Sequence, residues 1–84
     1  MFGVDGPITY KNGQALREVV GQIPHDRLVL ETDSPYLPPV PFRGKPNKPA
    51  YVPYICAALA EVLELSHEEC ARMTTENAER FFRL

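Results

Sequence analysis

Apolar positions change their spacing several times along this chain, and each change predicts an element. Met1 to Val4 is short and mostly apolar and runs into Asp5, Gly6 and Pro7, which predicts the end of a strand followed by a turn. From Asn12 the spacing becomes helical. Leu16, Val19, Val20 and Ile23 fall at i, i+3, i+4 and i+7 on one helix face, with Asn12 as the N-cap and Gly21 and Pro24 closing the helix. Leu28, Val29 and Leu30 are an unbroken apolar run, the pattern of a parallel strand covered on both faces. Strand, helix, strand is the unit from which parallel sheets are built, so the fold class is α/β.

The second half reads as helices. Val52, Ile55, Cys56, Leu59, Val62 and Leu63 repeat at helical spacing, and Pro53 is tolerated because it lies in the first turn. Ser66 followed by Glu69 is a capping box that predicts a second, short helix. Thr74 or Thr75 is placed to cap a third, with Ala78, Phe81 and Phe82 as its apolar side. Between strand and helices, Ser34 to Ala50 is a loop with prolines at 35, 38, 39, 41, 46 and 49 that carries Arg43, Lys45 and Lys48 and no acid. Loops of this length are functional or disordered.

The apolar run Leu28–Leu30 ends in Glu31-Thr32-Asp33. Alternation places Val29, Glu31 and Asp33 on one face and Leu28, Leu30 and Thr32 on the other. If both faces are covered, these carboxylates need partners, because burying an unpaired one costs several kcal/mol. Metal ions, arginines and backbone N–H groups all qualify. In parallel α/β folds, ligands gather at the carboxyl ends of strands, where Asp33 falls; Asp33-Ser34-Pro35 is equally compatible with an ordinary turn.

Composition narrows the choices. At 84 residues the chain is a single small unit, and a chain this short buries only about 60–65% of its unfolded surface. Net charge is −2, so the molecule as a whole does not attract nucleic acid, whatever local patches do. No run approaches a membrane span and no signal peptide is recognisable, so the expected location is cytoplasmic. Cys56 and Cys70 lack CxxC spacing and fall in helical patterns, which predicts buried reduced thiols.

ETDSPYL, then PVPFRGKPNKPAYV, then TTENAERFF, with GPITYKNGQALREVVGQIPHDRL upstream, resembles the C-terminal segment of the TatD family of metal-dependent deoxyribonucleases, part of the wider metal-dependent hydrolase superfamily. The resemblance spans essentially the whole chain. It implies a TIM-type (β/α)8 barrel, of which residues 1–84 would form about the last quarter, its last two βα units. It also implies a divalent metal (Mg, Mn or Zn, one or two in the complete barrel), DNA as substrate, and Asp33 as metal ligand and catalytic carboxylate. Hard cations prefer oxygen ligands, and a bound metal makes a nucleophile of its water near neutral pH. The histidine and glutamate ligands of the family pattern have no counterpart here. His25 would lie at the opposite barrel face and His67 just inside a capped helix, so both are expected to be surface histidines. One aspartate does not hold a catalytic metal, so the 84 residues alone are expected to be inactive.

The resemblance places Arg43 and Asn47 beside the active site. With Lys45 and Tyr36, and with Lys48 and Phe42 nearby, they combine charge and aromatics as expected for single-stranded DNA. Asn77 and Phe81 resemble the NAxxxF pattern that closes the family's barrel, which implies packing. Two other readings stand beside the hydrolase. Pro38, Pro41 and Arg43 satisfy PxxPxR, a motif for SH3-type domains. The chain is otherwise a non-catalytic remnant whose exposed strand edges invite self-association.

Overall fold

The computed structural model describes residues 1–31, 39–40 and 49–82. Two short strands form its centre. β1 (Phe2–Val4) and β2 (Leu28–Leu30) run parallel, with Phe2 opposite Leu28, Gly3 opposite Val29 and Val4 opposite Leu30. The Glu31 amide extends the ladder by donating to the Val4 carbonyl at 2.9 Å. Paired residues share a face, so Phe2, Val4, Leu28 and Leu30 point one way and Gly3, Val29 and Glu31 the other. Leu28 and Val29 are both buried, as a run covered on both faces requires.

The connection from β1 to β2 contains a 3-10 turn, Gly6–Thr9, and helix α1, Gln14–Gly21. The residue preceding α1 is Gly13, not Asn12, and no side chain caps it. The reason is steric. A Cβ at residue 13 would lie 2.6 Å from the Pro7 carbonyl oxygen, so the chain passes the turn at the one residue without a side chain. Of the expected apolar face, Val20 is fully buried and Leu16 and Ile23 pack against the core, but Val19 is 53% exposed. The buried sector of α1 is a narrow stripe centred on Val20, and Val19 lies about 100° around the helix from it.

A second 3-10 turn, His25–Arg27, leads into β2. After a third, Pro49–Tyr51, helix α2 spans Val52–Leu63 with proline in its first turn, as expected. It ends at Glu64, which takes the left-handed conformation (φ 58°, ψ 39°). The Leu65 amide donates to the Ala60 oxygen and the Glu64 amide to the Glu61 oxygen, at 2.9 and 3.3 Å. This is a Schellman closure built without glycine; Leu65 at its exit packs on the core.

Helix α3 is continuous from His67 to Phe82. The capping box forms as expected: the Ser66 amide donates to Glu69 Oε1 and the Glu69 amide to Ser66 Oγ, both at 3.0 Å. The expected break at Thr74 or Thr75 does not occur. A cap hydroxyl must accept from an amide ahead of it. The Thr74 hydroxyl instead donates backwards, to the carbonyls of Cys70 (2.9 Å) and Ala71 (3.2 Å), a geometry available only inside a helix. The buried face of α3 is Cys70, Thr74 and Asn77, while Phe81 and Phe82, expected on the apolar side, are 57% and 59% exposed. Their rings meet edge to face on the surface, 5.8 Å apart. The core joins Val4, Ile8, Val20, Leu28, Ile55, Leu59 and Ala60 with the free thiols Cys56 and Cys70. No described helix is long and apolar enough to cross a membrane.

Candidate functional site

Parallel pairing brings the carboxyl ends of β1 and β2 to the same side of the unit, and the residues leaving both strands meet there. The Val40 amide, in the segment after β2, donates to Thr9 Oγ1 at 2.8 Å. Thr9 Oγ1 in turn donates to the Gly6 carbonyl at 2.7 Å, so the hydroxyl is used in both directions. Pro39, next to Val40, is fully buried.

The 3-10 turn that presents Thr9 is itself held by α1. Arg17 Nη1 donates to the carbonyls on either side of Thr9, Ile8 at 3.1 Å and Tyr10 at 2.7 Å. Charge-assisted bonds of this kind are stronger than neutral ones. Neither Thr9 nor Arg17 stands out in the sequence, because their partners are backbone carbonyls and an amide far along the chain, which no spacing rule encodes. An open groove of about 730 Å³ lies beside them, lined by Thr9, Lys11, Arg17, Val40, Tyr54 and Glu61 among others.

At the end of β2, Glu31 is exposed. The strand is covered on both faces at Leu28 and Val29 but not at Glu31, so this carboxylate meets solvent in the unit described. Its side chain lies across β1 where Gly3 leaves room, since a Cβ there would come within 2.3 Å of Glu31 Cδ and Oε2. Asp33, Tyr36, Arg43, Lys45 and Asn47 lie outside the described residues, as do Pro38 and Pro41 of the PxxPxR motif. Its two inner residues, Pro39 and Val40, are seated against the body of the protein.

The remaining candidates are away from this end. His25 is exposed in the turn before β2, at the amino end of the strand, and His67 is exposed at the start of α3. Asn77 is buried, and its amide holds the His25 and Leu28 carbonyls, both at 2.7 Å, in a packing role. Burial pushes the Cys70 thiol up to about 12, with Cys56 nearby adding to the effect; burial also raises Cys56. Among the described residues no group of three or more His, Cys, Asp or Glu side chains comes together. Glu31 supplies an oxygen donor of the kind hard cations take, but alone it falls short of a ligand set.

The match to known proteins runs through this whole arrangement. The family described as TatD related DNase matches residues 1–83. The chain belongs to that family. A metal-dependent hydrolase of Bacillus subtilis, YabD, is 54% identical over 79 residues, which are 94% of this chain and 31% of YabD. YcfH of Escherichia coli K12, also named a metal-dependent hydrolase, is 44% identical over 79 residues, or 94% of this chain and 30% of YcfH. The crystal structure of YJJV, a TatD homologue from Escherichia coli K12, superposes with a TM-score of 0.88 at 34% identity, covering 98% of this chain and 32% of that one. This TatD-family chain thus spans about a third of the length of the relatives it matches, more than the quarter its motifs imply. Its parallel strands and flanking helices are a small α/β unit that recurs within the longer TatD homologue.

Proposed function

We propose that residues 1–84 are the last two strand–helix units of a (β/α)8 barrel that hydrolyses phosphodiesters in DNA. The observation that carries this reading is the pairing of β1 and β2 in parallel, with their carboxyl ends together and Glu31-Thr32-Asp33 directly following Leu30. That is the side of a parallel barrel on which active sites are built. The match of residues 1–83 to the TatD related DNase family and the names of the relatives support hydrolysis as the reaction class.

In this reading Asp33 would be a metal ligand and would help position the attacking water. A divalent cation, when bound, lowers the pKa of that water and offsets charge on the phosphoryl oxygens. Arg43 and Lys45 bind backbone phosphates, Asn47 donates hydrogen bonds beside them, and Tyr36 stacks a base. The remaining ligands come from outside these 84 residues, so the segment by itself turns over nothing.

The test is hydrolysis of single-stranded DNA by the complete polypeptide carrying this sequence, with Mg²⁺, Mn²⁺ or Zn²⁺, against chelator and Asp33→Asn controls. Activity lost in both controls supports the reading. A fully active Asp33→Asn variant overturns the role of Asp33, and activity of the isolated 84 residues overturns the ligand count.

A further inference from the structure

We propose that the groove between α1 and α2 holds one nucleotide of a single-stranded DNA substrate, its phosphate at Lys11 and Arg17 and its base on Tyr54. The proposal deepens the hydrolase reading above and rests on it.

The groove begins where β1 ends. The turn Gly6–Thr9, continued by Tyr10 and Lys11, forms one end, and the facing sides of α1 and α2 form the walls. Along α2 the middle of the wall is low, because Ala57 and Ala58 carry only methyl groups. At the other end the two helices meet: a Cβ on Gly21 would lie 3.7 Å from Val62 Cγ1, an ordinary packing distance. The space enclosed is about 730 Å³, inside the roughly 300–1,000 Å³ that small-molecule sites occupy.

Charge is segregated along this space. Lys11 is exposed beside the turn. Arg17 starts from α1 but reaches back to the same turn, where Nη1 donates to the Ile8 and Tyr10 carbonyls at 3.1 and 2.7 Å. That anchoring fixes the guanidinium in place and leaves Nε and Nη2 as donors for a phosphate oxygen. Glu18 and Glu61 line the groove toward its Gly21–Val62 end, and Gln14 Nε2 donates to Glu18 Oε1 at 3.5 Å. A phosphate is therefore attracted at the turn and repelled at the far end, which limits the groove to a single nucleotide. Tyr54 supplies a surface for the base. It is 45% exposed, and its ring meets that of Tyr51 edge to face with centroids 6.3 Å apart, so it is presented in a defined orientation. A cationic end beside an exposed aromatic ring is the combination by which single strands are held without base-specific contacts.

The experiment measures equilibrium binding of a short oligo-dC to the complete polypeptide in chelator, so that binding is read apart from hydrolysis. Tyr54→Ala is expected to weaken binding about tenfold, and Tyr54→Phe, which keeps the ring, to restore it. Lys11→Ala is expected to make the dependence of log affinity on log salt shallower by about 0.7, the loss of one phosphate contact on a single strand. Arg72→Ala, which removes an exposed cation on α3 away from the groove, is expected to leave that slope unchanged. Equal slopes for Lys11→Ala and Arg72→Ala, or full affinity in Tyr54→Ala, overturn the groove as a nucleotide site. If DNA is hydrolysed in an Asp33-dependent way while neither groove variant alters binding, the groove assignment fails and the hydrolase reading stands. If the groove variants weaken binding as expected while added Mg²⁺, Mn²⁺ or Zn²⁺ yields no hydrolysis, the groove stands and the hydrolase reading is what fails.

Discussion

The side-chain amide of Asn77 donates to the backbone oxygen of Leu28 at 2.7 Å, tying the last helix to the first residue of a strand 49 positions earlier. Its second donor reaches the His25 carbonyl at the same distance. Arg80, one turn on, donates to the Asp26 carbonyl and, at 3.1 Å, to Asn77 Oδ1. The carbonyls of the turn entering β2 are thus satisfied by side chains of α3, so the helix fixes where the strand begins.

Asn77→Leu should therefore destabilise the fold by about 1–3 kcal/mol, the cost of leaving a buried carbonyl without its donor, measured as a lower midpoint in urea. Asn77→Asp should do at least as much harm near neutral pH, because a carboxylate offers only acceptors to two carbonyl oxygens. Its deficit should shrink in acid, as a protonated carboxyl regains one donor.

The capping box predicts a pH dependence. The Ser66 amide, then the Ser66 hydroxyl, hold Glu69 below the usual carboxylate range. A folded value below the unfolded one contributes stability that is present above the ordinary glutamate value and lost as pH falls through the lowered one. Thermal melts of the native chain should therefore lose more stability than those of Glu69→Gln when both are taken through that acidic window. Identical acid profiles for the two would remove the linkage.

The thiols should behave oppositely. Burial pushes Cys70 up to about 12 and raises Cys56 as well, so the neutral forms are the native ones. Their contribution is complete below the ordinary thiol value and is lost as pH rises through it toward the raised ones. A disulfide-exchange reagent at pH 8 should label neither cysteine in the folded chain and both in denaturant, because the thiolate is the reactive form. Fast native labelling of either would contradict the burial.

Much of this fold was legible because it depends on local spacing. The run Leu28–Leu30, the Val52–Leu63 periodicity and the Ser66–Glu69 box each carry their own signal and each forms where expected. Readings failed where tertiary contacts decide. Thr74 has the chemistry of a cap and bonds backwards inside a helix; Phe81 and Phe82 have the chemistry of a core and lie on the surface. Those exposed rings and Val19 belong to a chain about a third as long as its relatives, and periodicity cannot say which faces a longer chain would cover. At the carboxyl ends of the strands, Glu31 was visible as a carboxylate following an apolar run, Asp33 lies outside the described residues, and Thr9 and Arg17, which act through backbone atoms, left no pattern.

Two glycines give the last prediction, because the atoms facing them differ in kind. A Cβ on Gly3 would meet the far end of the exposed Glu31 side chain, with Cδ and Oε2 at 2.3 Å. The carboxylate can swing away, and alanine also lowers the entropy of the unfolded chain, so Gly3→Ala should change stability by less than about 1 kcal/mol. It should nonetheless move Glu31 off β1, which a shift in the Glu31 side-chain resonance would report. A Cβ on Gly13 would meet backbone, the Pro7 oxygen at 2.6 Å and the Tyr10 oxygen at 3.1 Å, with Arg17 Nη1 at 3.3 Å. Backbone in a braced turn cannot step aside, so Gly13→Ala should cost about 1–3 kcal/mol, the range for overpacking. Because the same turn presents Thr9, Gly13→Ala should also weaken protection of the Val40 amide, while Gly3→Ala leaves it intact. Equal melting temperatures for the two variants would show that the turn yields as readily as a side chain.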